Sequence, residues 1–357
     1  MPALFPLVSR HLAARSACKR ARLALGLGLA CGLVLAFAPV LVARAGTSAP
    51  GRTHDTGADA FADRPIRLVV PFARGGSTDI IARIIAGPLG KVLGQTVHVE
   101  NKAGNAGMVG ATEVARAAPD GYTLGMATVS STASAPALAR KPPYDPVADF
   151  TPIVNIAETP NVIAVYPGFP AKNYPEFLAV LQDQPGHYSY ATSGPGSIGH
   201  LQMELFKNLT GTLVTHMPYR GAGPALNDTI TGAVPIIFDN LPSALPYIRD
   251  GRLVPIVVAA PQRLPDMPDV PTFAEVGLAP VNRLAFYGLL GPRGLPPHVV
   301  ARLHDAVITV LGQTGVQKRI AQAGARIVGN TPAQFAAQIK TESTIYRNVV
   351  ARQKLSE

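Results

Sequence analysis

The chain has 357 residues, two cysteines, no tryptophan and a formal net charge of +10. Six of its Lys and Arg residues, and none of its acids, lie in residues 1–45, so the remainder carries only +4. That distribution argues against a nucleic-acid binder, which needs basic residues clustered on one folded face. Both cysteines, Cys18 and Cys31, fall in the same segment, so the rest has no disulfide, thiolate metal ligand or cysteine nucleophile.

Arg10, Arg15, Lys19, Arg20 and Arg22 precede an apolar run from Leu23 to about Ala43, which closes in Ala43-Arg44-Ala45. A basic start, an apolar middle and small residues at the end describe a secretory signal peptide over 1–45, cleaved after Ala45 into the periplasm. A retained membrane anchor is the rival reading, because the run is nearly long enough to span a bilayer. Gly26, Gly28, Gly32 and Pro39 weaken it as a helix, and the Ala-x-Ala site ends it. Cys31 suggests a lipidated cysteine less well, since Gly28 stands where a branched apolar residue is usual. Residues 46–61 are small, polar and aperiodic, and read as a flexible lead-in. About 312 residues follow the leader, room for two lobes with separate cores.

The ordered pattern begins with Ile66–Val70, a short β-type run closed by Pro71 and Gly75-Gly76. Ser77 or Thr78 is placed to cap a helix whose apolar face is Ile80, Ile81, Ile84, Ile85 and Leu89. The same unit recurs: a strand over 96–100, a Gly-rich loop at 103–107 and a short helix through Ala118. Further strands are predicted over 122–127, 161–165 and 188–192, the last running into Ser193-Gly194-Pro195-Gly196-Ser197-Ile198-Gly199 and a helix over 200–209. A strand over 213–217, a helix near 224–230 and a buried strand over 285–291 follow, with helices from Pro297 to Leu311 and from Thr331 to the end. Strands alternating with helices imply parallel sheets covered on both faces, an α/β fold.

Three Gly-rich loops, at 73–79, 103–107 and 193–199, fall at strand-to-helix junctions. There, unpaired N–H groups and the positive end of the helix dipole converge and attract an anion. Any one such loop is more often a plain turn and cap, but three of them favour a shared anion site in a cleft between lobes. Residues 194–199 match Gly-x-Gly-x-x-Gly, but the acid a dinucleotide site needs about 20 positions on is missing around 213–220, so no cofactor is expected. Nucleophile-elbow, zincin and P-loop patterns are absent, and the seven histidines after the leader have no metal-ligand spacing. No metal is expected.

Individual side chains carry two readings each. His200 is either a helix-start hydrogen bonder or a ligand contact. Asp79 reads first as an acid satisfying the helix dipole. Asp239, ending Ile236-Ile237-Phe238, either meets a ligand cation or orders a hinge. Arg74 and Arg220 are carboxylate partners by bidentate geometry, or solvated surface residues.

The stretches Pro71–Asp79, Asn101–Gly104, Pro119–Leu124, Ser193–His200, Pro218–Gly221, Phe238-Asp239 and Gly288–Pro292 occur in an order and spacing that resembles the Bug family. These are extracytoplasmic receptors of tripartite tricarboxylate transporters. The resemblance implies a Venus-flytrap fold, periplasmic binding protein-like, of two α/β lobes joined by two crossover strands. One lobe is expected over 62–162 and 284–357, the other over 163–283. It implies a non-enzymatic receptor that captures a small carboxylate and delivers it to an integral-membrane permease, acting as a monomer with no nucleic acid. The ligand set it suggests is Phe72, Arg74, Gly75, Gly76, Ser77, Thr78, Asp79, Asn105, Thr128, Ser193, Gly194, Gly196, Ser197, His200, Arg220 and Asp239. Arg74 and Asn105 depart from the family pattern, and both lie where selectivity is set. Two other functions fit parts of the pattern. One is a secreted hydrolase or transferase using Ser193 and His200; the other is a periplasmic sensor input to a receptor kinase.

Overall fold

The computed structural model describes residues 61–355. The leader over 1–45, both cysteines and nearly all of the lead-in lie outside the described residues.

Strand β1 (Ile66–Val70) leads into helix α1 (Ser77–Leu93), then β2 (Val97–Asn101), α2 (Met108–Ala115), β3 (Thr123–Thr128), a short α3 (Ala135–Leu138) and the long β4 (Phe150–Thr159). Next come β5 (Asn161–Val165), α4 (Tyr174–Asp183), β6 (Ser189–Thr192), α5 (Ile198–Thr210), β7 (Thr215–Pro218), α6 (Ala222–Ile230), β8 (Ile236–Asn240), α7 (Leu241–Arg249) and β9 (Val254–Ala259). The chain ends through β10 (Ala285–Pro292), α8 (Pro297–Leu311), α9 (Thr314–Gln322), β11 (Arg326–Ile327) and α10 (Pro332–Gln353). They build two sheets, in the orders β11-β4-β10-β3-β1-β2 and β7-β6-β8-β5-β9.

Near-continuous apolar strands are buried on both faces, as a helix-covered sheet requires. In β1, Ile66, Leu68 and Val70 enter one core while Val69 enters the core on the opposite face. The second sheet repeats this: Ile163 and Val165 of β5 face one core, Val162 and Ala164 the other. Two sheets with four such cores make two α/β lobes.

The sheets are mixed, where alternation of strand and helix implied parallel ones. β1 is parallel to β2 and β3, and β6 to β7 and β8. The exceptions follow the two crossings between sheets. β5, entered directly from β4 through Pro160, is antiparallel to β8 and β9. β10, on the return, is antiparallel to β3 and β4. A helical crossover within one sheet returns the chain in the same direction, whereas a strand arriving from the other sheet is free of that rule.

The helix starts also differ from expectation in one respect that matters. α1 has Gly76 as its N-cap, with no side-chain cap, and Ser77 is its first residue. The Ser77 hydroxyl is turned elsewhere. By contrast Ser197 caps α5 by accepting from the His200 N–H, and Thr331 with Gln334 forms a full capping box on α10.

α10 fastens the end of the chain to β4 and β10. Phe335 is fully buried, sits edge-on to Phe286 at 5.5 Å, and covers Gly288, where a Cβ would lie 2.2 Å from the Phe335 ring. Phe335→Ala is therefore expected to cost about 3–5 kcal/mol of stability, read as a lower urea midpoint. A loss under about 1 kcal/mol would show that this contact does not hold the helix in place.

Candidate functional site

The loop after β1 turns at Gly75, whose φ of +80 suits glycine. It presents Gly76, Ser77 and Thr78 at the start of α1 to the face opposite the second sheet. Asp79 turns back into its own lobe. Its carboxylate accepts from the Gly75 N–H at 3.1 Å, from Arg83 Nε at 2.9 Å and from Asn101 Nδ2 at 2.9 Å. Burial alone pushes this carboxyl up, but the bonds from Arg83, Asn101 and Gly75 outweigh it and hold the group below the usual carboxylate range. Asp79 thus stiffens the loop.

The loop after β6 is held from behind by a stack of rings. His200 Nδ1 accepts from the Gly196 N–H at 3.0 Å, and its ring stacks on His216 at 4.1 Å, which stacks in turn on Tyr190 at 4.9 Å. Thr192 Oγ1 pairs with His216 Nε2 at 2.7 Å and accepts from the Gly194 N–H at 3.2 Å. Both imidazoles thereby fix the backbone of 193–199. Burial lowers both imidazole pKa values, that of His216 to about 3 with added repulsion from His200 and Lys207.

The lobes meet through these loops. The Ala73 N–H donates to the Arg220 carbonyl at 3.2 Å. The Ile198 N–H donates to Ser130 Oγ at 3.0 Å, and Ser134 Oγ donates to the Gly196 carbonyl at 2.7 Å. Ser77 Oγ lies 2.6 Å from Ser243 Oγ and accepts from the Ser243 N–H at 3.0 Å. Ser243 Oγ in turn donates to Asp239 Oδ2 at 2.5 Å. The cavity between them has a volume of about 20 Å³, room for about one ordered water. The cleft is closed.

Of the residues expected at a ligand, Phe72, Gly76, Ser77, Thr78, Thr128, Ser193, Ser197 and Asp239 line this cavity. Gly75, Gly194, Gly196, Asp79 and His200 shape the loops from behind without lining it. Arg74 and Arg220 are exposed and outside the lining, Arg220 joining the lobes through its backbone carbonyl alone. Asn105 is also exposed, at a φ of +44. Its loop, 103–107, contributes no lining residue. It backs the site instead: a Cβ on Gly107 would lie 3.0 Å from the Phe72 ring.

Reading the residues alone missed Ser130, Asn240, Phe286 and Tyr287, which also line the cavity, and Ser243 behind it. Ser130 begins a hydroxyl-rich run, Ser130–Ser134, wound as a wide helical turn. That run follows a strand as the glycine loops do, and was the available signal. Tyr287 lies inside the apolar run of β10 and looks like core.

Four helices of nine residues or more, α1, α5, α6 and α7, start on this cavity through Ser77, Ile198, Ala222 and Asn240. Its lining contains no Lys, Arg or His. An anion here meets neutral N–H and O–H donors and helix dipoles, a combination suited to a carboxylate. The ring stack generates one direct check: in an NMR titration His216 stays neutral through about pH 5. An imidazolium at or above the ordinary value of about 6.5 would contradict the buried stack.

The model of the tripartite tricarboxylate transporter family receptor matches residues 81–355. BugT of Bordetella pertussis is 34% identical over 319 residues, covering 89% of this chain and 96% of BugT. A solved structure of a periplasmic transporter superposes with a TM-score of 0.82 at 47% identity, covering 83% of this chain and 99% of that one. MatC from Rhodopseudomonas palustris with bound malate superposes with a TM-score of 0.78 at 36% identity, covering 81% and 100%. This is a family of substrate-binding receptors and not of enzymes, whose members include periplasmic binding proteins. The chain belongs to the tripartite tricarboxylate transporter receptor family, the Bug proteins.

Proposed function

We propose that this protein is an exported receptor that captures a small carboxylate between two lobes and presents the closed complex to an integral-membrane permease of the tripartite type. The observation that carries the reading is the set of four helix N-termini aimed at one cavity without a cationic side chain. The malate bound to MatC supports the choice of a carboxylate over other anions. The lobes run over 62–162 with 284–357, and over 163–283, and the crossing strands between them act as the hinge. Residues 1–45 direct export to the periplasm and are removed after Ala45.

Malate, succinate, adipate and lactate form a first panel. A member that binds at 100 times its Kd raises the melting temperature by the equivalent of about 2.7 kcal/mol. Failure of every carboxylate to shift the transition or to appear in native mass spectra would refute the reading.

Closure is testable separately. Gly223 lies at the lobe contact, where a Cβ would come 2.3 Å from the Arg74 carbonyl oxygen. Gly223→Val therefore holds the lobes apart without touching the cavity. We expect carboxylate affinity to fall at least about tenfold, equivalent to about 1.4 kcal/mol, with the radius of gyration unchanged on adding ligand. An unaltered affinity would mean that capture does not require this closed contact.

A further inference from the structure

Asp239 is the one charged side chain lining the cavity, at the end of β8, and is 4% exposed. It is joined to the first lobe by a chain of hydroxyls: Ser243 Oγ donates to it at 2.5 Å, and Ser77 Oγ lies 2.6 Å beyond. Ser77 is both the far end of this chain and part of the anion-facing start of α1. Tyr287 OH, buried beside Ser77, has no hydrogen-bond partner among the described residues.

Each serine owns one proton, so the chain has a direction. When Asp239 is ionised, Ser243 must donate to it, and Ser77 donates to Ser243 or to the Asn240 carbonyl at 3.2 Å. Ser77 then offers the cavity only a lone pair, which repels a carboxylate. When Asp239 is protonated it donates to Ser243, and Ser243 donates to Ser77 or to the Asn240 carbonyl at 3.1 Å. The Ser77 proton is then free to point into the cavity. Tyr287, whose OH has no partner among the described residues, supplies a second O–H.

We propose that Asp239, acting through Ser243 and Ser77, is a positioning residue that couples capture of a carboxylate to the uptake of one proton. The inference rests on the carboxylate reading and deepens it. In balance, the free protein with ionised Asp239, one carboxylate and one solvent proton give a closed complex in which the proton resides on the Asp239 carboxyl. Opening returns it to solvent. Two negative groups in one water-poor cleft otherwise repel each other, which drives the same uptake.

The surroundings of Asp239 leave it free to play this part. From β10, Tyr287 is near enough to interact with its charge. From α1, Asp79 is engaged by Gly75, Arg83 and Asn101. From α5, His200 faces Gly196, His216 and Glu204. From α6, Asp228 accepts from Tyr219, and at the far end of α7 Arg249 pairs with Asp266. Burial, opposed by the bonds from Ser243 and the Asn240 N–H, pushes the Asp239 carboxyl up to about 6. That burial belongs to the closed cleft, so closing the lobes on a second carboxylate favours the protonated form of Asp239.

Titration calorimetry with malate, run at about pH 7.5 in buffers of different ionisation enthalpy, reads the uptake directly. We expect close to one proton bound per malate, and a Kd that weakens by nearly tenfold per unit between about pH 6.5 and 8.5. Asp239→Asn, whose amide still donates to Ser243, should bind malate with neither uptake nor slope. Should that variant fail to fold, the wild-type uptake and Ser243→Ala decide the matter: breaking the chain is expected to make the slope shallower than the wild type's, leaving only the part that charge repulsion drives, and an unchanged slope would overturn the role of Ser243 and Ser77. Malate binding without uptake, or an Asp239→Asn variant that keeps the slope, overturns the relay while leaving the receptor reading intact. If succinate, adipate and lactate bind no better than malate and none binds at any pH, the carboxylate reading and the relay fail together.

Discussion

An anion can be held without a cationic side chain only if several N–H groups are fixed at one place, and fixing them is what this fold does. Three of the four helices that begin on the cleft follow strands buried within their sheets, and α6 follows the exposed edge strand β7. A loose helix start would let its donors turn to water. Here Asp79 ties the first loop to Arg83 and Asn101, and the His200–His216–Tyr190 stack ties the second. These polar side chains behind the cavity thus spend their hydrogen bonds holding its loops in place. Electrostatic attraction is left to dipoles and hydroxyls.

The same arrangement explains why closure is tight. The lobes touch through backbone and hydroxyl groups, as at Ala73 with Arg220 and Ser134 with Gly196. Glycine is required where these surfaces meet. Gly196 carries a φ of +76 and would set a Cβ 3.0 Å from the Ala135 Cα. Such a contact tolerates no extra atom, and with room for only about one water the lobes must stand further apart to hold a carboxylate.

Much of this was legible in the sequence, for local reasons. β1, β5 and α8 announce themselves by apolar runs or periodicity with Pro and Gly at their ends, and their bounds agree with the structure. The loops at 73–79 and 193–199 were readable because several Gly-rich junctions recur between strand and helix, although the third, at 103–107, contributes no lining residue. β4 was not, because Pro152 and Asn155 interrupt its apolar run. Asn155 is tolerated there only because Asn330 accepts from its N–H and Gln338 accepts from its side-chain amide, both from far along the chain. The antiparallel entry of β5 and β10 was hidden for the same reason, since it depends on which sheet a strand joins. Tyr287 looked like core because its neighbours are core. Arg74 and Arg220 allowed two readings, carboxylate partner or solvated surface residue, and the structure leaves both exposed and outside the lining, where Ser and Thr hydroxyls stand instead.

The central claim is that neutral donors, and not these two guanidinium groups, hold the ligand. Its most direct test is the Kd of the tightest-binding carboxylate for the Arg74→Ala/Arg220→Ala double variant, measured beside the wild type by calorimetry. The account predicts a change within about threefold, as expected for exposed charges. A loss of about a hundredfold, near 2.7 kcal/mol, would place a guanidinium on the carboxylate and contradict it.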